Sequence, residues 1–177
     1  MLEHLHQLVE ALRVFPKPVI AAVEGAAAGA GFALAMNCDL IVAAEDATFT
    51  MSYGRLGLSP DAGASWNLVH SLPRQLVQRL IWLAEPIKAP ELHALGLVGW
   101  LAPSGQSSTE ALKLAGRLAT MAPNALASAK ELVQQAPSRT IHQQLAAERD
   151  HFIDNLFHSN GAEGLQAFFE KRAPRFR

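Results

Sequence analysis

The sequence predicts an α/β fold, in which a small parallel sheet is followed by a long helical section. Two runs, Val19–Val23 and Asp39–Ala44, are largely apolar without polar alternation, which is typical of strands covered on both faces. An apolar helix over roughly residues 30–37 separates them, so we expect a parallel pair joined by a crossover. From residue 62 onward, apolar residues recur mainly at helical spacing.

The other elements follow in order along the chain. A helix with apolar positions three and four residues apart opens it and ends before Pro16 and Pro18. Thr48–Thr50 is a candidate third strand, and glycines and prolines make residues 53–63 a loop. Capping patterns begin at Ser107 and Asn160, each with a glutamate three residues later. Further helices are predicted at about residues 62–71, 73–84, 89–95, 107–121, 124–135, 139–157 and 162–171.

Composition and charge argue against several classes of protein. The formal net charge is −1 over 177 residues, and no basic run with interleaved aromatic residues indicates nucleic-acid binding. The most apolar stretch, residues 18–36, is interrupted by Glu24, so we expect no membrane span. Scattered histidines argue against a metal site, and the single cysteine, Cys38, excludes an internal disulfide. With no secretory pattern after Met1, we expect a cytoplasmic protein.

A glycine-rich loop lies between the first predicted strand and the apolar helix. Its glycines are Gly25, Gly29 and Gly31. Glycine permits positive φ and close approach of a ligand, and a helix N-terminus directs free N–H groups toward such a loop. The pattern suits a phosphate or a developing oxyanion, although tight strand–helix packing explains it equally well. The spacing does not fit a dinucleotide-binding fingerprint, and Gly-x-Ser-x-Gly does not occur.

Short motifs along nearly the whole chain form an ordered set. They are Lys17-Pro-Val-Ile-Ala-Ala-Val-Glu-Gly25, Ala28-Gly-Ala-Gly31, Cys38-Asp39, Leu56-Gly57-Leu58, Pro60-Asp-Ala-Gly63, Leu95-Gly96-Leu97-Val98 and Phe168-Phe-Glu-Lys171. Their order and spacing resemble the crotonase family. The resemblance implies a spiral of ββα units in residues 1–104 and a helical trimerisation region in residues 105–177. It also implies an acyl-CoA substrate, no cofactor apart from the coenzyme A of that substrate, and a homotrimer or dimer of trimers.

The resemblance further implies an enolate held by two backbone N–H groups. One of them would be the N–H of Ala30, between Gly29 and Gly31. Hydratases of the family use two glutamates for acid–base work, but the matching positions here are Ala33 and Tyr53. A hydratase mechanism of the usual kind is therefore not expected.

Asp61 is the expected base. It matches a position at which related isomerases and dehalogenases carry an acidic residue. From the residues alone, Asp61 is also explained as a helix N-cap after a proline turn.

Further site residues follow from the resemblance. Tyr53 and Trp66 are expected to line an acyl pocket, although a buried aromatic residue is more often part of a core. Phe152 and Lys171 are expected to contact the coenzyme A of a neighbouring subunit. Phe152 also lies on an apolar helical stripe, so packing is an equal alternative. The family's N-terminal portion, which supplies the second oxyanion N–H, is expected to be absent.

These expectations favour double-bond isomerisation of an enoyl-CoA, with the Ala30 N–H polarising the thioester carbonyl and Asp61 moving the proton. The surroundings of Asp61 are similar to those in isomerases that act on ring-derived CoA thioesters. Two alternatives stay open. One is other crotonase chemistry, either hydration or thioester hydrolysis with Asp61 as nucleophile or base. The other is a truncated, non-catalytic chain that only oligomerises.

Overall fold

The computed structural model describes residues 2–177 and has the helices and strands of an α/β protein. The strands are β1 (Ile20–Val23), β2 (Ala26–Ala28), β3 (Leu40–Ala44), β4 (Thr48–Thr50), β5 (Ile87–Lys88) and β6 (Trp100–Ala102). The helices are α1 (Leu2–Val14), α2 (Ala30–Asn37), α3 (Ala64–Ser71), α4 (Arg74–Leu83), α5 (Ala89–Ala94), α6 (Ser107–Leu118), α7 (Pro123–Gln135), α8 (Ile141–Leu156) and α9 (Ser159–Glu170). Short 3₁₀ helices cover Ser52–Leu56 and Ala136–Ser138.

The strands form two three-stranded sheets. In one sheet β1 pairs in parallel with β3, which pairs in parallel with β6. In the other sheet β2 pairs in parallel with β4, which pairs antiparallel with β5. Along the chain, α2 separates the strands β1 and β2 from the strands β3 and β4. Each of these two pairs gives one strand to each sheet. The predicted parallel pair with a helical crossover is confirmed, as β1 and β3.

Three strands lie outside the predicted ones. β2, β5 and β6 have only two or three residues each. Strands this short show no alternation of apolar and polar residues by which the sequence could indicate them. The loop predicted at residues 53–63 overlaps the first 3₁₀ helix, Ser52–Leu56, and α3 begins at residue 64 instead of 62. Ala62 and Gly63 have positive φ, so they cannot belong to the helix.

Contacts divide the chain into two compact units. The first consists of the residues up to Arg13 and Val19–Leu114, and the second of Val14–Pro18 and Ala115–Arg177. In the first unit the core surrounds the rings of Phe32 and Phe49, whose centroids lie 4.9 Å apart.

The oligomerisation role of residues 105–177 stays a prediction. Among residues 2–177, none of the helices combines the length and apolar character that a membrane crossing requires.

The two predicted capping patterns were wrong. Ser107 is the first residue of α6, and its N–H and hydroxyl both donate to the distant Glu24 carboxylate. The carboxylate also accepts from the N–H of Gly105. In the second unit, His158 is the N-cap of α9, and Asn160 is buried with its amide bonded to Asn124 and the Arg177 carbonyl.

Candidate active site

The structure divides the predicted glycine loop: Gly25 precedes β2, Gly29 connects β2 to α2, and Gly31 lies in the first turn of α2. Gly29 has a φ of 52° and a ψ of −119°, a conformation that favours glycine. Its N–H donates to the Thr50 carbonyl of β4 at 2.8 Å, which ties the loop to the sheet. The N–H of Ala33 bonds to the Gly29 carbonyl and closes the first helical turn. The N–H of Ala30 therefore precedes the first helical bond and has no acceptor within the helix.

Gly31 and Ala33 occupy the first turn of α2 in different ways. Gly31 is exposed, and a Cβ built on it would meet nothing within 4 Å. Ala33 is fully buried. A methyl group at this position provides no acid or base.

Tyr53 lies against the glycine loop. It belongs to the 3₁₀ helix Ser52–Leu56 and is 9% exposed. A Cβ built on Gly29 would lie 3.7 Å from its Cζ atom, so the phenol ring occupies the space beside Gly29. Tyr53 is thereby placed beside the N-terminus of α2.

The Tyr53 hydroxyl donates to Oδ1 of Asp61 across 2.5 Å. Burial of the phenol, and next its hydrogen bond with the Asp61 carboxylate, raise the pKa of Tyr53 above its usual range. The phenol is neutral near neutral pH, and its proton is hydrogen-bonded to Asp61. A phenol in this state is a hydrogen-bond donor and not a base.

The turn after Asp61 joins this residue to α3. Asp61 is half-buried, and its carbonyl accepts from the Ala64 N–H at 2.9 Å. Ala62 and Gly63 follow with φ of 50° and 73°. Gly63 is the N-cap of α3, and no side chain caps that helix. The alternative that Asp61 is a helix N-cap is therefore wrong.

Two buried asparagines near this turn were not predicted as site residues. Asn37 at the end of α2 donates to the Ala62 carbonyl, and Asn67 of α3 donates to Asn37. A sequence signal did exist, because Asn37 is the one polar side chain of the otherwise apolar helix α2. The pair connects the glycine-loop helix to the residue after Asp61.

Trp66 stands apart from these contacts. It lies on α3 with 45% of its surface exposed, so it is not a core residue. The Arg13 guanidinium lies 4.5 Å from its ring centroid, and the His70 ring stacks on it at 4.1 Å. Its place in an acyl pocket stays a prediction.

Phe152 and Lys171 belong to the second compact unit. Phe152 on α8 is 67% exposed, so packing within its own unit does not account for it. Lys171 ends α9 in the left-handed conformation, with a φ of 53°. Their predicted contacts with coenzyme A stay predictions.

The group that the structure brings together is small. It consists of the N-terminus of α2 at Ala30, the Tyr53 phenol and the Asp61 carboxylate. Such a group offers a backbone donor for a developing oxyanion and one carboxylate for proton transfer. Among residues 2–177, no three histidine, cysteine, aspartate or glutamate side chains come together as a metal site.

Comparison with known proteins gives consistent relatives. Residues 1–177 match the family model described as enoyl-CoA hydratase/isomerase. The chain is 37% identical to 2,3-dehydroadipyl-CoA hydratase of Escherichia coli, over 97% of this chain and 67% of the relative. It is 36% identical to 1,2-epoxyphenylacetyl-CoA isomerase of the same organism, over 96% of this chain and 64% of the relative.

The solved structures agree with the family match. An enoyl-CoA hydratase from a Polaromonas species matches with a TM-score of 0.97 and 57% identity, over 99% of this chain and 68% of that chain. The predicted crotonase-like fold is thereby confirmed. The chain spans about two thirds of the length of these relatives. Because the family model matches residues 1–177 and the fold agrees, the chain belongs to the enoyl-CoA hydratase/isomerase family.

Proposed function

We propose that this chain isomerises an enoyl thioester of coenzyme A, with Asp61 as the single base and the Ala30 N–H as a donor to the thioester oxygen. The observation that carries the proposal is the pairing of Tyr53 with Asp61 beside the glycine loop. It leaves one carboxylate next to the backbone donor. Movement of a double bond needs one group that removes and returns a proton, whereas hydration also requires an activated water.

The reaction would proceed in two proton transfers. The Asp61 carboxylate takes a proton from C2 of a 3-enoyl thioester, and the electron pair moves into a dienolate whose oxygen accepts from the Ala30 N–H. The Asp61 carboxylic acid then returns the proton to C4, and the double bond lies between C2 and C3. Because Oδ1 accepts from Tyr53, the other oxygen of Asp61 is the one that takes the proton. A backbone donor of this kind contributes about 3–4 kcal/mol to transition-state stabilisation.

Hydration of a 2-enoyl thioester is the second candidate. It is favoured by the names of two relatives, the 2,3-dehydroadipyl-CoA hydratase and the Polaromonas enoyl-CoA hydratase. Against it, Ala33 carries no ionisable group and the Tyr53 proton is committed to Asp61. Thioester hydrolysis has no comparable support from the relatives' names.

The proposal extends to the assembly. We expect a cytoplasmic homotrimer or dimer of trimers, in which Phe152 and Lys171 contact the coenzyme A bound by a neighbouring subunit. The exposure of the Phe152 ring is compatible with this role. Calorimetric titration with coenzyme A and light scattering, applied to Phe152→Ala and Lys171→Ala variants, test it: the affinity should fall in both variants, and the oligomer size should not change.

One experiment distinguishes the catalytic candidates. The purified chain is incubated with a 3-enoyl-CoA or a 2-enoyl-CoA, and the conjugated thioester is followed by its ultraviolet absorbance. Isomerisation raises the absorbance with the first substrate, and hydration lowers it with the second. Asp61→Asn should lower the isomerisation rate at least about 100-fold. Asp46→Asn, at an exposed carboxylate bonded to Ser104, is the matched control and should retain activity. Equal rates for Asp61→Asn and the unaltered chain would contradict the proposal.

A further inference from the structure

Two asparagine side chains are buried between α2 and the turn that follows Asp61. Asn37 is 5% exposed and Asn67 is 7% exposed. Burying an amide side chain costs free energy unless its donors and acceptor are bonded. Both side chains are hydrogen-bonded, so this pair has a defined geometry.

The hydrogen bonds fix the orientation of the Asn37 amide. Its Nδ2 donates to the carbonyls of Ala33 and Ala62, each at 2.8 Å. Carbonyl oxygens only accept, so the nitrogen must face them. The Oδ1 of Asn37 accepts from Asn67 Nδ2 at 3.1 Å. Asn37 therefore uses two donors and an acceptor at once.

The bond to Ala62 acts on a backbone that would otherwise relax. Ala62 has a φ of 50°, which is uncommon for a residue with a Cβ, and it is 1% exposed. A residue in this region persists only where its surroundings hold it. Asn37 holds the Ala62 carbonyl, and Ala62 directly follows Asp61.

The same amide also holds α2. Ala33, whose carbonyl receives the other proton of Asn37, lies one turn after Ala30. One side chain thus bonds to the helix that provides the backbone donor and to the peptide beside the base. A misplacement of reacting groups by 1 Å costs on the order of 100-fold in rate.

We propose that Asn37 is a positioning residue that sets the placement of the Asp61 carboxylate relative to the Ala30 N–H, with Asn67 orienting the Asn37 amide. This inference rests on the proposed function in assigning Asp61 as the base. Both amide protons and the amide oxygen of Asn37 are bonded within the protein, so we assign it a role through its neighbours and no role in binding the substrate.

The test uses Asn37→Asp, which keeps the shape but cannot donate to the two carbonyls. We expect kcat for isomerisation to fall at least tenfold while KM changes less than threefold. Tyr53 is the only tyrosine of the chain, so carbon-13 at tyrosine Cζ gives one resonance that reports the Tyr53–Asp61 bond. We expect this resonance to move toward its position in Asp61→Asn.

The second variant is Asn67→Ala, which keeps the bond from Asn37 to Ala62. It should change both readouts in the same direction and by less, and it decides the question if Asn37→Asp does not fold. Asn160→Asp makes the same exchange at a buried asparagine of the second compact unit, and should leave the Tyr53 resonance unmoved.

A folded Asn37→Asp or Asn67→Ala variant with unchanged resonance and kcat would overturn the proposal, even if its stability fell. If the unaltered chain shows no isomerisation, the proposed function fails and the resonance alone decides the positioning role.

Discussion

The hydroxyl group of Tyr53 donates to Oδ1 of Asp61 across 2.5 Å, and the ring of Tyr53 lies next to Gly29. This relationship gives the two side chains different roles. The phenol bonds to one carboxylate oxygen, and in the proposed reaction the other oxygen takes the proton. Because hydrogen bonds to a charged group are stronger than neutral ones, the pair should be well ordered.

Removing the hydroxyl tests this division of roles. Tyr53→Phe keeps the ring beside Gly29 and deletes the bond to Asp61. We expect kcat for isomerisation to fall about tenfold, because the carboxylate loses the group that fixes its orientation. Steady-state assays with a 3-enoyl-CoA measure it, and KM should change little. An unaltered kcat would show that Asp61 is held by its turn alone.

The ionisation of Tyr53 provides a second test. Burial, followed by the Asp61 carboxylate, raises the pKa of the phenol, so the folded chain retains a proton that the unfolded chain releases at about pH 10. The corresponding stability is present below that pH and is lost as the pH rises further. Ultraviolet titration of this sole tyrosine should show ionisation only above its usual range. In Asp61→Asn the pKa should fall but stay raised, because burial remains. A normal pKa in the unaltered chain would contradict the buried pair.

Part of the site could be predicted from the sequence because its motifs are local. Gly29, Ala30 and Asp61 lie in short segments whose order and spacing carry the family resemblance. The hydrogen bond between Tyr53 and Asp61 lies beside a turn with positive φ at Ala62, and alanine gives no sign of that conformation. The segments that carry Gly29, Ala30 and Asp61 could therefore be recognised in the sequence, whereas the hydrogen bond between Tyr53 and Asp61 and the buried pair of Asn37 and Asn67 could not.

Long-range contacts explain the remaining failures. Glu24 bonds to Gly105 and Ser107, more than 80 residues away, and replaces the local cap predicted at Ser107. The buried Asn160 bonds to Asn124, from another helix. Capping rules use neighbouring residues only, so neither contact is visible to them. The parallel pairing of β1 with β3 was predictable because strand, helix and strand follow each other directly.

Two glycine substitutions, one in the turn after Asp61 and one on α6, should change the free energy of unfolding in opposite directions. Gly63 has a φ of 73°, and a Cβ there would lie 3.5 Å from Asn67 Nδ2. Gly63→Ala should lower the free energy of unfolding by about 1–2 kcal/mol, because the left-handed conformation disfavours a Cβ. Gly116 is an exposed residue of α6 with nothing within 4 Å of the Cβ position. Gly116→Ala should therefore raise it by roughly 0.5–1 kcal/mol. Urea unfolding measures both, and a harmless Gly63→Ala would contradict the geometry of the turn.

The carboxylate of Glu163 predicts how the second compact unit responds to acid. It accepts from the Arg172 guanidinium at 2.6 and 3.0 Å and from the Arg175 N–H at 2.8 Å. The Arg172 hydrogen bond, followed by the Arg175 N–H, lowers the pKa of Glu163 to about 2. A lowered pKa means that the stabilisation is complete above the unfolded value near 4.5 and is lost as the pH falls toward 2.

Thermal unfolding of the unaltered chain and of Glu163→Gln tests this pH dependence. The variant should have the lower Tm at neutral pH, and the difference should shrink as the pH falls below about 4.5. Arg172→Gln is the control, because it removes the guanidinium partner and should reduce the effect of the further exchange of Glu163 to the part that the Arg175 N–H contributes. A difference in Tm that is constant with pH would mean that Glu163 stabilises α9 through packing and not through its charge.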